Sequence, residues 1–284
     1  MLRARIGHTA LTWDVFREPA RLAEAIRDCA ALGYAGTETG GRIYDWWEEH
    51  RPGELPRLLA NYGVTLACLF HIGDWTEAAA GPALLDDSRR WAEAVARLGG
   101  DILMLVPGRR RDLPPYSLDE FQQMAETMNR AGELARAAGV TAAMHPHWGT
   151  VAETRLEIEV LLDRLDPALV GFAPDTGQIA KGGADPLPII DRWAARVHHV
   201  HLKDLAADWE EKRRAGVPLR SPEGYAELGQ GTIDFRPLVP ILERVDYAGW
   251  LMVELDEASR PARDAAALSK QYLEQTLGLT LAGR

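Results

Sequence analysis

Along the chain, short runs rich in β-branched and other apolar residues alternate with longer stretches whose apolar positions recur at helical spacing. Eight such runs are bounded by Gly, Pro or polar clusters: Ala4–His8, Tyr34–Thr39, Val64–Phe70, Asp101–Val106, Val140–His145, Val170–Asp175, Val197–Leu202 and Trp250–Leu255. Between them, Leu22, Ala25, Ile26, Cys29 and Leu32 keep one face through a first helix, and Phe121, Met124, Met128, Ala131, Leu134 and Ala135 do so later. Gly33, Gly63, Gly99 and Gly139 close four helices just before the next strand, where a left-handed C-cap suits glycine.

Strands two and three start 30 residues apart (34 to 64), and strands five, six and seven start 30 and 27 apart, the size of one βαβ unit. Parallel strands need crossover helices, and eight such units close a sheet on itself. The pattern therefore predicts an α/β fold, a (βα)8 TIM barrel, in a single domain spanning residues 1–284. The rival is an open doubly wound sheet, but Ile6-Gly7-His8 runs into Thr9 and Ala10 rather than G-x-G-x-x-G, so no nucleotide fingerprint supports it. Two long connections, Gly108–Ser117 and Asp204–Asp234, fall after strands four and seven, on the face where barrels keep their active sites.

Branched apolar side chains fill a barrel interior, so an ionisable residue at a strand's carboxyl end points to the mouth. Here the ends read His8, Glu38, His71, His145 with His147, Asp175, His201 with Lys203, and Glu254. His145, Asp175, His201 and Glu254, from strands five to eight, supply two imidazoles and two carboxylates, a set suited to one divalent metal ion. Mixed nitrogen and oxygen donors favour Mn, with Co, Zn, Fe or Mg as options, over Ca. Taken singly, an acidic residue after a strand is as often a helix N-cap, and a lone His a hydrogen-bonded core residue. Four together call for a cation, because burying that much charge without one is costly. His147 competes with His145 for the ligand role, since Pro146 obscures the backbone direction; the terminal strand position favours His145.

Composition narrows the partners. With 46% hydrophobic and 26% charged residues the chain reads as an ordinary globular protein. A formal charge of −10 and a pI near 5.3 repel polyanions, so nucleic acid is not an expected partner, while small polar substrates are. Cys29 and Cys68 are too few for a disulfide framework, which fits a reducing compartment. MLRARIGHTALTW lacks the apolar core of a signal peptide, and no apolar run reaches the roughly 18 residues of a membrane span. The expectation is a cytoplasmic enzyme, with a homo-oligomer possible.

Around these strand ends stand A-P-D-T-G-Q at Asp175, H-H-V-H-L-K-D at His201, L-G-Q-G-T-I-D-F from Leu228 and Y-A-G-W-L-M-V-E from Tyr247. With them the chain resembles, over nearly its whole length, the xylose isomerase-like TIM-barrel family of sugar phosphate isomerases and epimerases, which includes inosose dehydratases and endonuclease IV. The resemblance implies metal ligands at Asp175, His201 and Glu254. Where that family typically places a Glu after strand five, this chain reads M-H-P-H-W-G-T, a form similar to inosose dehydratases, so that His145 stands in for the Glu. Two further departures are Gln230, where the related motif reads L-G-E-G, and Gln178, in place of a common His.

A metal at this position polarises a substrate carbonyl and stabilises the enediolate formed when the neighbouring carbon loses a proton. Isomerisation and epimerisation of a keto-sugar, sugar phosphate or keto-cyclitol begin this way and form the leading expectation. The alternative is an inosose-dehydratase-type lyase that eliminates water; a non-catalytic sugar-binding subunit and an endonuclease IV-like nuclease are lesser readings.

Catalytic candidates are His147, Lys203 and Glu254. Lys203 lies two residues beyond His201, on the same face if the strand continues; the competing reading is an exposed loop lysine paired with Asp204. Glu38, Trp13, Trp148 and His71 are candidates for holding a sugar or cyclitol, though Glu38 has Arg42 as an alternative partner. Trp13, Trp46, Trp47, Trp75, Trp148 and Trp209 all follow strands and suit either an aromatic wall or a rim sealing the mouth. Arg109, Arg110 and Arg111 can bind an anionic group or form a solvated charge run, and Lys212, Arg213 and Arg214 mark a lid or partner helix.

Overall fold

The structure, a computed structural model, describes residues 2–111, 115–217 and 223–281. The chain forms two compact units, Met1–Thr65 with Val200–Arg284, and Leu66–His199.

In the first unit, β1 (Arg5–Thr9) lies parallel to both β2 (Gly36–Gly40) and the last strand, β8 (Trp250–Val253). Arg5 is level with Trp250 and Gly7 with both Met252 and Gly36. The glycines make room: a Cβ on Gly36 would come within 2.6 Å of the Trp250 ring, over which the Arg5 guanidinium lies at 4.3 Å. Helices Leu22–Leu32 and Ala262–Gln275 cover the strands, and Tyr34 Oη donates to the Ala266 carbonyl at 2.8 Å to tie one to the other.

In the second unit, β3 (Thr65–Gly73), β4 (Ile102–Pro107), β5 (Thr141–Met144) and β6 (Val170–Phe172) pair in order, Cys68 against Ile102, Ile102 against Thr141 and Ala142 against Val170. Helices Leu118–Ala137 and Arg155–Arg164 each begin with a capping box, Ser117 with Glu120 and Thr154 with Glu157. Phe172 bridges in parallel to Val197, at the entry to β7 (His199–Leu202).

The strands form one eight-stranded sheet in the order β6-β5-β4-β3-β2-β1-β8-β7. Except for β6 and β7, neighbours in the chain are neighbours in the sheet, and β1 lies beside the last strand, which is barrel order; a doubly wound sheet reverses direction part-way. Each of the eight expected runs overlaps a strand, and Gly33, Gly63, Gly99 and Gly139 all have positive φ. The observed strands stop earlier than read at three ends. β5 closes at Met144, so His145 is the first residue beyond it, while β6 closes at Phe172 and β8 at Val253.

Of the two long connections, residues 112–114 and 218–222 lie outside the described ones. The connection after β7 opens with a two-stranded hairpin, Asp204–Leu205 against Tyr225–Ala226. Asp204 holds the glycine-rich segment beneath it: its carboxylate accepts from the backbone N–H of Leu205 (2.9 Å), and of Gly229, Gly231 and Ile233 (3.0 Å each). Burial pushes this carboxyl up, against the four N–H groups that pull it down. Lys212 pairs with Asp208, and Arg213 and Arg214 pair with Glu210, so this basic run is neutralised within its own helix, Trp209–Arg214. Among the described residues no helix is long and apolar enough to cross a membrane.

Candidate metal centre and active site

In the first unit, residues at or near the carboxyl ends of three strands meet in one buried cluster. Glu38 ends its alternation on β2, His201 lies on β7, and Glu254 follows β8; all are at most 4% exposed. His201 Nε2 stands 2.7 Å from Glu38 Oε1, and its Nδ1 meets Glu254 Oε2. One imidazole is thus flanked by a carboxylate at each nitrogen. Lys203 is fully buried rather than exposed, and its Nζ reaches Glu254 Oε1 and Asp256 Oδ1, both at 3.0 Å, with the Tyr225 ring 4.4 Å away. The pairing read as possible with Asp204 does not form, because that carboxylate is engaged by backbone N–H groups.

Glu254 and Asp256 place two carboxylates beside one ammonium, and Glu38 adds a third against His201, so carboxylates outnumber the lysine cation in this buried cluster. Burial pushes the Asp256 carboxyl up and Glu254 adds to it, while the Lys203 ammonium opposes both. A bound cation, or a protonated His201, offsets such an excess.

The supporting shell is less open than the sequence suggested. Trp13 is entirely buried, its Nε1 donating to Asp28 Oδ2 at 2.9 Å and its ring meeting His8 edge-on, so it braces His8 instead of forming an exposed sugar face. His8 is held neutral, burial lowering its pKa to about 4. Thr12 Oγ1 donates to the Leu255 carbonyl at 2.6 Å, joining the loop after β1 to the end of β8. Beside them is a cavity of about 340 Å³ lined by Thr12, Asp14, Arg17, Arg21, Asp256 and Arg260 among others.

In the second unit, His145 and Asp175 are both buried, with ligating atoms within 4.8 Å of each other. His145 Nδ1 donates to the Ala173 carbonyl at 3.1 Å, which puts the lone pair of the neutral ring on Nε2. Asp175 lies three residues past β6 because it also caps the helix Thr176–Lys181, accepting from the Gln178 N–H at 2.9 Å. The N-cap and ligand readings of this residue are therefore compatible, one oxygen serving each. These donors, an imidazole nitrogen backed by a carbonyl and a carboxylate oxygen, fit a divalent ion.

His147 and Trp148 follow on the same loop, both half-buried; Trp148 lies over the Lys181 ammonium at 4.3 Å. His71 is buried, with Nδ1 3.0 Å from Ser88 Oγ and its ring wedged against Trp75 and Trp91, a packed setting that offers a sugar little surface. Of the six tryptophans placed after strands, Trp13, Trp47, Trp75 and Trp209 are buried, and only Trp46 and Trp148 keep exposed surface. Arg110 pairs with Glu157 and Arg111 with Glu120, so these two guanidiniums brace helix starts.

The sequence profile of the xylose isomerase-like TIM barrel family matches residues 26–275. The chain belongs to this family. Within the xylose isomerase-like TIM barrels, the inosose dehydratase of Geobacillus kaustophilus (strain HTA426) is 30% identical over 279 residues, covering 92% of this chain and 89% of its own. Two solved structures share the fold. The probable 3-DHS dehydratase AsbF of Bacillus anthracis superposes with a TM-score of 0.77 at 15% identity, over 95% of this chain and 98% of its own. The IolI protein, solved with a binding zinc atom, gives 0.77 at 14%, over 96% and 98%.

The relative that matches along most of both chains is a dehydratase, and this protein is an enzyme. Two site residues, Asp256 and Tyr225, and the partner of a third, Gln178, went unread in the sequence. Asp256 follows Glu254 at i+2, a spacing that was available as a signal, but it opens a polar loop, D-E-A-S-R, that reads as surface. Tyr225 reaches Lys203 only through the hairpin, and Gln178 registered as a departure without a partner.

Proposed function

We propose that this protein is a divalent-metal-dependent dehydratase of the inosose dehydratase kind, eliminating water from a keto-cyclitol or closely related keto-sugar. The observation that carries this reading is the end-to-end likeness to an inosose dehydratase, 92% of one chain against 89% of the other. It favours elimination over the isomerisation or epimerisation that the strand-end motifs put first, and His145 in place of the family's glutamate supports the same choice.

The proposed metal donors are those read from the strand ends, His145, Asp175, His201 and Glu254. Mn²⁺ is the expected ion for mixed nitrogen and oxygen donors. When bound, the ion supplies a Lewis acid that polarises the substrate carbonyl and acidifies the adjacent C–H.

Glu254 accepts the proton from that carbon, and the C–H electrons form the new carbon–carbon double bond. Lys203 donates a proton to the hydroxyl on the next carbon as its C–O bond breaks, so that water leaves. The proton on Glu254 then crosses to the Lys203 amine along their 3.0 Å hydrogen bond, which returns both groups to their starting state. Asp256 keeps the ammonium in place through the cycle. Trp148, which retains exposed surface, offers its ring to an apolar face of the substrate. A cytoplasmic location goes with this reading.

Incubation with an inosose and Mn²⁺ should generate the ultraviolet absorbance of an unsaturated diketone. An epimeric ketone by NMR with no such absorbance would establish the isomerase instead. Lys203→Met should reduce kcat by about 10² to 10⁴ while the protein still binds metal. Asp175→Asn should abolish metal uptake, read by elemental analysis, with the circular dichroism spectrum intact.

A further inference from the structure

Three hydrogen bonds in the second unit close into a ring that begins and ends on Trp148. The Trp148 N–H donates to Gln178 Oε1 at 3.1 Å, Gln178 Nε2 lies 2.9 Å from His147 Nε2, and His147 Nδ1 lies 2.6 Å from the Trp148 carbonyl oxygen.

A peptide N–H can only donate and a peptide carbonyl can only accept, so the polarity is fixed at both ends. The Trp148 N–H requires an oxygen, which turns the Gln178 NH₂ toward His147. An NH₂ is a donor alone, so His147 Nε2 is the acceptor and carries no hydrogen. The Trp148 carbonyl in turn requires a hydrogen on Nδ1. Reversing the amide would set two donors against each other at Trp148 and demand a doubly protonated ring.

We infer that Gln178 holds His147 as a neutral imidazole protonated on Nδ1, with the Nε2 lone pair committed to the amide, and so leaves the ligand role at this strand end to His145. Gln178 is then a positioning residue, and His147 is withdrawn from both metal binding and proton transfer.

The surroundings are built to keep the ring closed. Gln178 is 1% exposed, and its own N–H donates to Asp175 Oδ1, so one residue links a proposed ligand to the imidazole it restrains. On the other side, Thr150 Oγ1 donates to the His147 carbonyl at 2.6 Å, and the Arg110 N–H donates to the Gly149 carbonyl at 2.8 Å, fixing the loop. His145 gives its Nδ1 hydrogen to a carbonyl in the same way, that of Ala173, but differs in having a ligating atom within 4.8 Å of one on Asp175. The ligand half of the inference rests on the metal reading proposed above; the tautomer half does not.

Metal-free protein with ¹⁵N-labelled histidine rings tests the tautomer by ¹H–¹⁵N correlation, His147 being identified by the signal lost in His147→Asn. The expected spectrum shows a neutral ring with the hydrogen on Nδ1. Gln178→Glu, whose carboxylate can only accept, should place a hydrogen on Nε2 as well. A wild-type ring protonated on Nε2 alone, or an unchanged ring in folded Gln178→Glu, would overturn the assignment.

Mn²⁺ titration by calorimetry tests the ligand half. His145→Ala should weaken binding by at least about tenfold and His147→Asn should leave it within about twofold. Equal losses in the two variants would overturn it. Absence of Mn²⁺ binding by the wild type would overturn the ligand half together with the metal reading, and the tautomer result would stand apart from both.

Discussion

His8 is the residue whose environment most directly sets a pH response. Burial lowers its pKa to about 4, more than the Thr9 carbonyl, Glu254 and Glu38 together raise it. The unfolded chain protonates this ring near pH 6.5, so below that value the unfolded state binds the extra proton and the fold does not. Stability from His8 is therefore complete above pH 6.5 and declines as pH falls toward 4, by about 2 kcal/mol at pH 5. Urea unfolding at pH 7 and pH 5 should show a lower midpoint at pH 5, and His8→Leu should lose that part of the difference. Equal pH dependence in wild type and variant would show that His8 is not its source. Lys203 belongs to the same scale: its alternation with His201 was visible in the sequence, whereas its burial against Glu254 and Asp256 was not, because side-chain pairing across 50 residues leaves no local pattern.

Between elements, the close approach of β1, β2 and β8 depends on missing side chains. A Cβ at Gly36 would meet the Trp250 ring at 2.6 Å and the Thr65 carbonyl oxygen at 3.0 Å, and neither a buried indole nor a strand carbonyl yields easily. Gly36→Ala should cost about 1–3 kcal/mol in urea unfolding. A variant as stable as wild type would mean that the strands separate readily. The strands themselves were legible because apolar runs and glycine stops recur every 30 residues or so. Their last residues were not: the apolar runs of β6 and β8 lead on toward Asp175 and Glu254, but Asp175 is recruited as a helix cap and the ladder stops three residues before it.

For the molecule as a whole, a resident divalent ion adds its binding energy to the fold. Chelator treatment should lower Tm, and Mn²⁺ in excess of its dissociation constant should restore it, since about 2.7 kcal/mol accrues at a hundredfold excess. A Tm indifferent to both would argue against an ion in the folded protein. Barrel order was readable because strand–helix units of similar size recur along the chain, and the division into two compact units was not, because periodicity reports elements and not how their contacts partition. The Asp204 carboxylate gives this large-scale picture a local exception. Glycine-rich connections ordinarily exchange their amide hydrogens with solvent within moments, yet Gly229, Gly231 and Ile233 each commit theirs to one buried anion. Deuterium uptake over this segment should run as slowly as in the neighbouring strands, and Asp204→Asn, whose NH₂ would confront amide donors, should release it.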